Sequence, residues 1–395
     1  MTPLVQDDAA LRALCARLAG AEWIALDTEF MRVRTYSARL CLIQVATPEV
    51  IACVDPLAVP IDPLLDVLYD SRDGGGRAAS GDGMDAGGRA TPGAVAGTAA
   101  DDAHALKVLH AARQDLEVFF DIRQAVPAPV FDTQIAAALT GYDDQIGYSA
   151  LVEKITGQLL PKVNQRADWA ARPLTPELVA YAADDVRYLC EVYRHLEQKL
   201  AALGRRGWLV EECAAQTDAK LYRNDPELAW QRLKQGKTLT PTQQPVLAQL
   251  AAWRERVAQQ KNLPRGWVVP DPALVDIARA QPENPGQLAA IPGMEPALAR
   301  RFGDEILAIV DQGKRLEPQR LWQEPSRPEP EQQRLLDAVS SRIQACARAH
   351  GVSATLLAPR REMVKFVLNE PDCALLRGWR HQLIGAELVG LRDAK

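Results

Sequence analysis

The chain has 395 residues, of which 47% are hydrophobic and 25% charged, and its formal net charge is -5. That length exceeds one ordinary domain and predicts two or three, with ample apolar residues for buried cores. Seven cysteines, an odd number with no C-x-x-C spacing, argue against a zinc site and a secreted disulfide framework and for a reducing cytosol.

No apolar run approaches membrane-spanning length and no signal peptide is recognisable, so a soluble, cytoplasmic protein with no membrane partner, taken as a monomer, is expected. Charge is uneven along the chain. Residues 1–210 hold 20 Lys and Arg against 28 Asp and Glu, while the remainder holds 26 against 23. An acidic front half suits a carboxylate metal site, and a mildly basic rear half suits a nucleic-acid contact.

Leu11, Leu14, Cys15 and Leu18 recur at helical spacing behind Asp8 as a cap, and Gly20 closes that helix. The next stretch, from Trp23 to Phe30, has strand character and carries two acids two residues apart, Asp27 and Glu29. In a strand such residues point to one side, leaving Leu26, Thr28 and Phe30 for the opposite layer. Two carboxylates about 5 Å apart repel by roughly 3 kcal/mol at an effective dielectric of about 20, and a hard divalent cation is the usual reason for such a pair. Residues 40–46 and 50–54 read as a hairpin around Pro48, so this part of the sheet is antiparallel. Residues 63–69 read as a short helix.

Residues 71–103 are dominated by Gly, Ala, Ser and Asp and predict a flexible surface insertion, because they bury too little apolar surface to offset ordering. No G-x-x-x-x-G-K-[ST] phosphate loop occurs in them. Beyond this stretch, 107–110 reads as a strand leading into a helix whose apolar face is Leu116, Phe119 and Phe120. Residues 130–132 give another strand and 133–139 a helix ending at Gly141. The alternation implies a mixed α/β sheet. Thr175 then caps a long helix with Pro176 in its first turn and Gly204 as its stop. On it Tyr181 and Asp185 are four apart and share a face.

These pieces together resemble the three motifs of the DEDD-type 3'-5' exonucleases, in the branch with tyrosine in the third motif. The wording is similar to the ribonuclease D family in Ala25-Leu26-Asp27-Thr28-Glu29-Phe30, in Leu40-Cys41-Leu42-Ile43-Gln44-Val45-Ala46, in Leu109-His110-Ala111 with Asp115-Leu116-Glu117-Val118-Phe119, in Phe131-Asp132-Thr133-Gln134, and in Tyr181-Ala182-Ala183-Asp184-Asp185-Val186. The resemblance implies a ribonuclease H-like α/β exonuclease domain over residues 1–210. It also implies Asp27, Glu29, Asp115 and Asp185 as ligands of two divalent metal ions, Mg2+ or Mn2+, with Tyr181 orienting the attacking water. Tyr-x-x-x-Asp spacing selects Asp185 over Asp184. Related proteins have a short connection where this chain carries residues 71–103.

The rear half reads as helices and turns. One amphipathic helix holds Leu247, Leu250 and Ala251, residues 264–271 form a turn-rich connector, a second helix holds Leu274 and Ile277, and a third reaches Val310. This region, 236–316, resembles the HRDC module. A linker with Pro318, Pro325, Pro328 and Pro330 follows. Residues 331–395 resemble the same module more weakly and are expected to be a second, degenerate HRDC-like domain, giving two all-α modules behind the exonuclease. Arg254, Arg256, Lys261 and Arg265, with the Pro292-Gly293 turn, are candidate phosphate contacts. Trp253 and Trp267 are expected in the core.

The function implied is a metal-dependent 3'-to-5' exoribonuclease whose RNA partner is a tRNA precursor with a 3' trailer. A DNA exonuclease would use the same carboxylates, and a silent nucleic-acid binder would dispense with them. The absence of an attached polymerase domain disfavours the first, and the presence of all five site residues the second. The composition of 71–103 predicts that deleting residues 71–100 leaves the melting temperature and nuclease activity almost unchanged; a collapse of folding in a thermal scan would make that segment part of the core.

Overall fold

The computed structural model describes residues 2–69, 105–161, 167–322 and 328–393. The Gly-rich stretch at 71–103 and Pro325 of the linker lie outside the described residues. In the front half β1 (Leu4–Val5) precedes α1 (Asp8–Leu18), whose cap is Asp7 and not Asp8: the Asp7 carboxylate accepts from the Ala10 amide at 2.8 Å. Next come β2 (Trp23–Met31), β3 (Arg39–Ala46), β4 (Ile51–Val54), α2 (Asp62–Tyr69), β5 (Leu106–Leu109), α3 (Arg113–Arg123), β6 (Val130–Asp132), α4 (Thr133–Leu139) and α5 (Tyr148–Thr156). The long α6 (Pro176–Ala202) begins at Thr175, whose side chain accepts from the Leu178 amide as expected of an N-cap.

The six strands form one sheet in the order β1-β4-β3-β2-β5-β6. β2 and β3, and β3 and β4, are antiparallel, while β5 and β6 run parallel to β2. The two-residue β1 and the helix α5 were absent from the sequence reading, the first being too short to carry a periodic signal.

Strand alternation divides the core. Ile24, Leu26, Ile43 and Val45 face α1, α2 and α3, meeting Leu11, Leu65, Leu116 and Phe119. Ala25, Ala46 and Val108 face the other way, toward Ala137 of α4, Val152 of α5 and Val186 of α6. α6 presents the small Ala182 and Ala183 to the sheet, and the helix comes close enough for the Cys53 thiol to reach the Val179 carbonyl at 3.7 Å. That approach carries Asp185 over the end of β2.

The expected boundary at residue 210 falls inside α7 (Arg206–Gln216), whose Leu209 and Cys213 belong to the same core as the sheet. Tyr222 packs with the other face. Then α8 (Gln244–Gln260), α9 (Arg265–Val268), α10 (Asp271–Ala280), α11 (Pro285–Ala289) and α12 (Pro296–Lys314) enclose a separate core built on Leu247, Leu250, Ile277 and Ile306. The turn-rich connector at 264–271 thus contains a helical turn, α9. Trp253 is buried there, as expected, but Trp267 is 52% exposed, contrary to the reading of it as core.

Residues 330–393 form α13 (Pro330–His350), α14 (Ala354–Leu357), α15 (Arg360–Val367), α16 (Gly378–Arg380) and α17 (Ala386–Asp393), with a π-helical turn at His381–Gly385. Among the described residues, Leu336, Ile343, Phe366 and Trp379 extend the core beside the sheet and do not enclose one of their own. Trp379 stacks on Trp208 of α7, with ring centroids 4.6 Å apart and planes at 16°. The Trp379 amide and indole N–H donate to Glu211 and Glu212 of α7. Gly378, at φ +51°, has a left-handed conformation that favours glycine, and it lies against the Glu211 carboxylate.

A second junction ties the HRDC region to the end of β2. The Tyr36 hydroxyl donates to Glu255 of α8 at 2.5 Å, and Arg265 of α9 forks onto the same carboxylate with two bonds of 2.6 Å. The Asn262 side-chain oxygen accepts from the amides of Tyr36 and Ser37.

Behind the site, Arg172 grips the fully buried Asp55 with two bonds of 2.7 Å and gives a third to the Cys41 carbonyl. This ion pair clamps the segment before α6 onto β3 and β4. Arg172→Ala should cost about 3–5 kcal/mol by leaving the Asp55 charge buried and unpaired. Equilibrium denaturation checks it, with Asp55→Asn/Arg172→Ala expected to recover part of the loss.

Candidate metal centre

The second half of β2 carries its two acids beneath α6. One carboxylate oxygen each from Asp27, Glu29 and Asp185 lie within 4.8 Å of one another. Alternation along β2 places Asp27 and Glu29 on one side, as expected, and that side faces α6; the register shifts between Glu29 and Phe30, where Cys41 of β3 has no opposite residue. Asp184 points elsewhere and pairs with Arg187 at 3.0 Å, so Asp185 is the acid that converges.

The fourth acid, Asp115, stands in the first turn of α3, next to this trio and outside it. Its Oδ1 accepts from the Thr28 hydroxyl at 2.5 Å. Thr28 belongs to the opposite face of β2, as expected, and its role there is polar: it ties the α3 acid to the strand that carries the other two.

Burial, followed by the charges of Asp115, Asp185 and Glu29, pushes the Asp27 carboxyl well above its ordinary range. Burial and the charges of Asp185 and Asp115 raise Glu29 to about 8. Burial is also the main cause for Asp185, at about 7, and for Asp115, at about 6, the latter partly offset by the Thr28 hydrogen bond. All four therefore resist ionising together. The donor set is all carboxylate, with no Cys or His among the converging atoms, which fits a hard divalent cation and not zinc or copper.

Tyr181 lies one turn before Asp185 on α6, half-buried, with its ring stacked on that of Trp169 at 6.4 Å. Burial and the Asp185 and Glu29 charges lift its hydroxyl to about 12, so it stays protonated at neutral pH.

Three supporting residues carry no chemistry that spacing alone announces. Asp132, quoted in a motif but given no role, is 1% exposed and accepts from the amides of Ala111, Ala112 and Gln134 and from the Gln216 side chain. It thereby caps α4 and fixes the entry of α3, where Ala111 has φ +54°. Tyr148, at the start of α5, donates its hydroxyl to the Asp185 carbonyl and packs against His110 at 5.5 Å. His110 meets the Ile146 carbonyl through Nε2 at 3.0 Å. Because a carbonyl only accepts, that nitrogen carries the proton.

Of the basic residues singled out in this region, Arg254 and Arg265 are committed to the fold, while Arg256 and Lys261 stay exposed. Arg254 is 2% exposed and bonded to Asp271 and the Val269 carbonyl, which removes it as a phosphate contact. Arg256 pairs with Glu227, and Arg265 is held by Glu255. Lys261 lies over the Phe302 ring at 5.8 Å.

The raised carboxyl values have a consequence for stability. Unfolded carboxyls titrate near about 4, so between roughly pH 4 and pH 8 the native metal-free protein binds more protons than the unfolded chain, and stability falls as pH rises. Glu29→Gln should melt close to wild type at about pH 5 and above it at about pH 8 in the presence of chelator. Mg2+ should raise the wild-type Tm more at the higher pH, because it binds the ionised site. Thermal scans over that range check both, and a Tm difference between wild type and Glu29→Gln that does not change with pH would contradict the raised Glu29 value.

The chain matches the 3'-5' exonuclease family over residues 3–73 and 94–201 and the HRDC domain family over residues 243–310. Ribonuclease D of Gluconacetobacter diazotrophicus is 35% identical over 392 residues, covering 98% of this chain and 91% of that protein. Ribonuclease D of Pseudomonas paraeruginosa is 36% identical over 403 residues, covering 99% and 97%. The crystal structure of Escherichia coli RNase D, described as an exoribonuclease involved in structured RNA processing, superposes with a TM-score of 0.82 at 30% identity and covers 100% of this chain and 99% of that one. The HRDC match covers one module where two were expected, so the architecture is an α/β exonuclease domain followed by an all-α HRDC module. With a convergent acid site at the end of its central strand and relatives spanning its whole length, the chain belongs to the ribonuclease D family of metal-dependent 3'-to-5' exoribonucleases.

Proposed function

We propose that this protein trims the 3' trailers of tRNA precursors and other small structured RNAs, releasing nucleoside 5'-monophosphates, as a cytoplasmic monomer. In this reading Asp27, Glu29, Asp115 and Asp185 hold two divalent cations, Mg2+ or Mn2+, and Tyr181 orients the attacking water. The observation that carries it is the meeting of three carboxylates within 4.8 Å, with a protonated tyrosine one helical turn from one of them. Two bound cations would supply a water of lowered pKa and charge relief at the leaving 3' oxygen. Asp27, Glu29 and Asp185 provide the oxygen ligands, and Asp115, steadied by Thr28, closes the site from the α3 side. The Tyr181 hydroxyl is protonated at neutral pH, so it is no general base and positions the water instead. The RNA preference is taken from the E. coli relative, which acts on structured RNA. The cytoplasm suits seven unpaired cysteines, six of them buried.

We read the division of the chain as an exonuclease domain over 1–210, continued by α7, an HRDC domain over 236–316, and a second, degenerate HRDC-like unit over 331–395. The repeated order of elements supports the last. A long helix, α8 or α13, leads to a four-residue helix, α9 or α14, then to a proline and a third helix, α10 or α15. The four-residue helices close alike, with the amides of Val269 and Ala358 donating to the carbonyls of Arg265 and Ala354.

A labelled tRNA bearing a short 3' extension, incubated with Mg2+ beside a DNA strand of the same extension, tests the reading. Stepwise shortening of the RNA from its 3' end to the mature terminus is expected, with little action on the DNA. Asp27→Asn and Asp185→Asn should abolish turnover while the fold survives; near wild-type trimming by purified Asp27→Asn would overturn the assignment of Asp27.

A further inference from the structure

In the antiparallel ladder between β2 and β3 the residue opposite Asp27 is Gln44. Opposite residues of such a pair share a face of the sheet, with Cβ atoms about 4.5–5.5 Å apart. Gln44 is therefore on the α6 side, beside Asp27 and beneath the carboxylates. It is fully buried, and among the described residues neither its Nε2 nor its Oε1 has a hydrogen-bond partner. On its other side Gln44 pairs with Cys53 of β4, whose thiol proton is directed at the Val179 carbonyl. Ala182 and Ala183 of α6 pack over this part of the sheet and offer no side-chain polar atom.

An amide buried with both ends unsatisfied is costly, since each orphaned group forfeits its hydration. An apolar side chain of equal length would avoid that cost. Of the two side chains that flank Gln44 across the ladder, Asp27 alone is an anion with lone pairs to receive an N–H. We infer that Gln44 is a positioning residue of the metal centre: when a divalent cation occupies the site, Nε2 of Gln44 donates to the Asp27 carboxylate and fixes the orientation in which it presents its other oxygen. Partners of this kind behind metal-binding side chains commonly govern affinity. The inference rests on the reading of Asp27 as a metal ligand. It also gives the Ile43-Gln44 step of the β3 motif a physical reason that a buried strand residue otherwise lacks.

The test uses the full-length protein freed of metal by chelation, with Gln44→Met as a side chain of the same length without hydrogen-bonding groups. Metal-free Gln44→Met is expected to melt at or above the wild-type temperature, while its calorimetric Kd for Mn2+ weakens about 10-fold or more. A Kd within about twofold of wild type would overturn the inference, set against the 10- to 100-fold losses usual for such partners. So would a metal-free Gln44→Met that melts well below wild type or fails to fold, because the amide would then be serving the fold itself. Asp27→Asn measured in parallel separates the two readings. Wild-type Mn2+ affinity in Asp27→Asn would reject Asp27 as a ligand, whereas weakened binding in Asp27→Asn with unchanged binding in Gln44→Met would reject Gln44 alone. If the amide acts through Asp27, the double variant binds Mn2+ no more weakly than Asp27→Asn.

Discussion

Mutual repulsion among carboxylates at the end of β2 is the constraint to which the rest of the exonuclease domain answers. Asp27, Glu29 and Asp185 are brought within 4.8 Å of one another, with Asp115 close by, in surroundings that raise the proton affinity of every one of them. The Thr28 hydrogen bond to Asp115 offsets only part of the cost of that arrangement without a cation. The apolar surface buried on both faces of the sheet must hold it, which is why Ile24, Ala25 and Leu26, immediately before the acids, are fully buried. The small Ala182 and Ala183 let α6 lie close enough to deliver Asp185. Two hydrogen-bonded anchors set the remaining geometry: Arg172 on Asp55 clamps the approach to α6, and Asp132 gathers the start of α3 and the cap of α4.

Polar side chains inside this domain act mainly on other parts of the site. Thr28 spends its hydroxyl on Asp115, Tyr148 spends its own on the backbone of Asp185, and His110 is locked against Ile146. Each links an acid-bearing segment to a neighbour that is distant in sequence, so the geometry of the centre is set by contacts among α3, α4, α5 and α6 rather than by β2 alone.

The helical rear half is attached to this core at two places by different physics. The HRDC module is joined through a polar junction, where Tyr36, Glu255, Arg265 and Asn262 exchange hydrogen bonds just beyond the end of β2. Residues 330–393 are joined mainly through apolar packing, with Trp379 stacked on Trp208 and Phe366 in a core continuous with the sheet, and with hydrogen bonds from Trp379 to Glu211 and Glu212 at its edge. Two of the arginines that made the HRDC region look like a phosphate-binding face are committed to the fold, and Arg256 stays exposed. Arg254 is interior, and Arg265 belongs to the junction. Of the two tryptophans assigned to the core from sequence, Trp253 is buried and Trp267 is open to solvent.

Sequence by itself determined the features that depend on short-range pattern. The alternation of β2 put Asp27 and Glu29 on one side, helical spacing put Tyr181 and Asp185 on one face, and Thr175-Pro176 marked the start of α6 to the residue. Family resemblance added that these segments meet with Asp115. Tertiary structure alone decided what depends on contacts between distant segments. That Asp115 would be tied to Thr28, that Asp132 would gather four donors, and that Gln44 would lie buried and unpaired beside Asp27 are facts about neighbours separated by tens of residues or by a sheet register. The same holds for the boundary at 210. Nothing in the periodicity of residues 206–216 says that Leu209 and Cys213 complete the sheet's core, because an amphipathic face reveals that it must be covered and not by what.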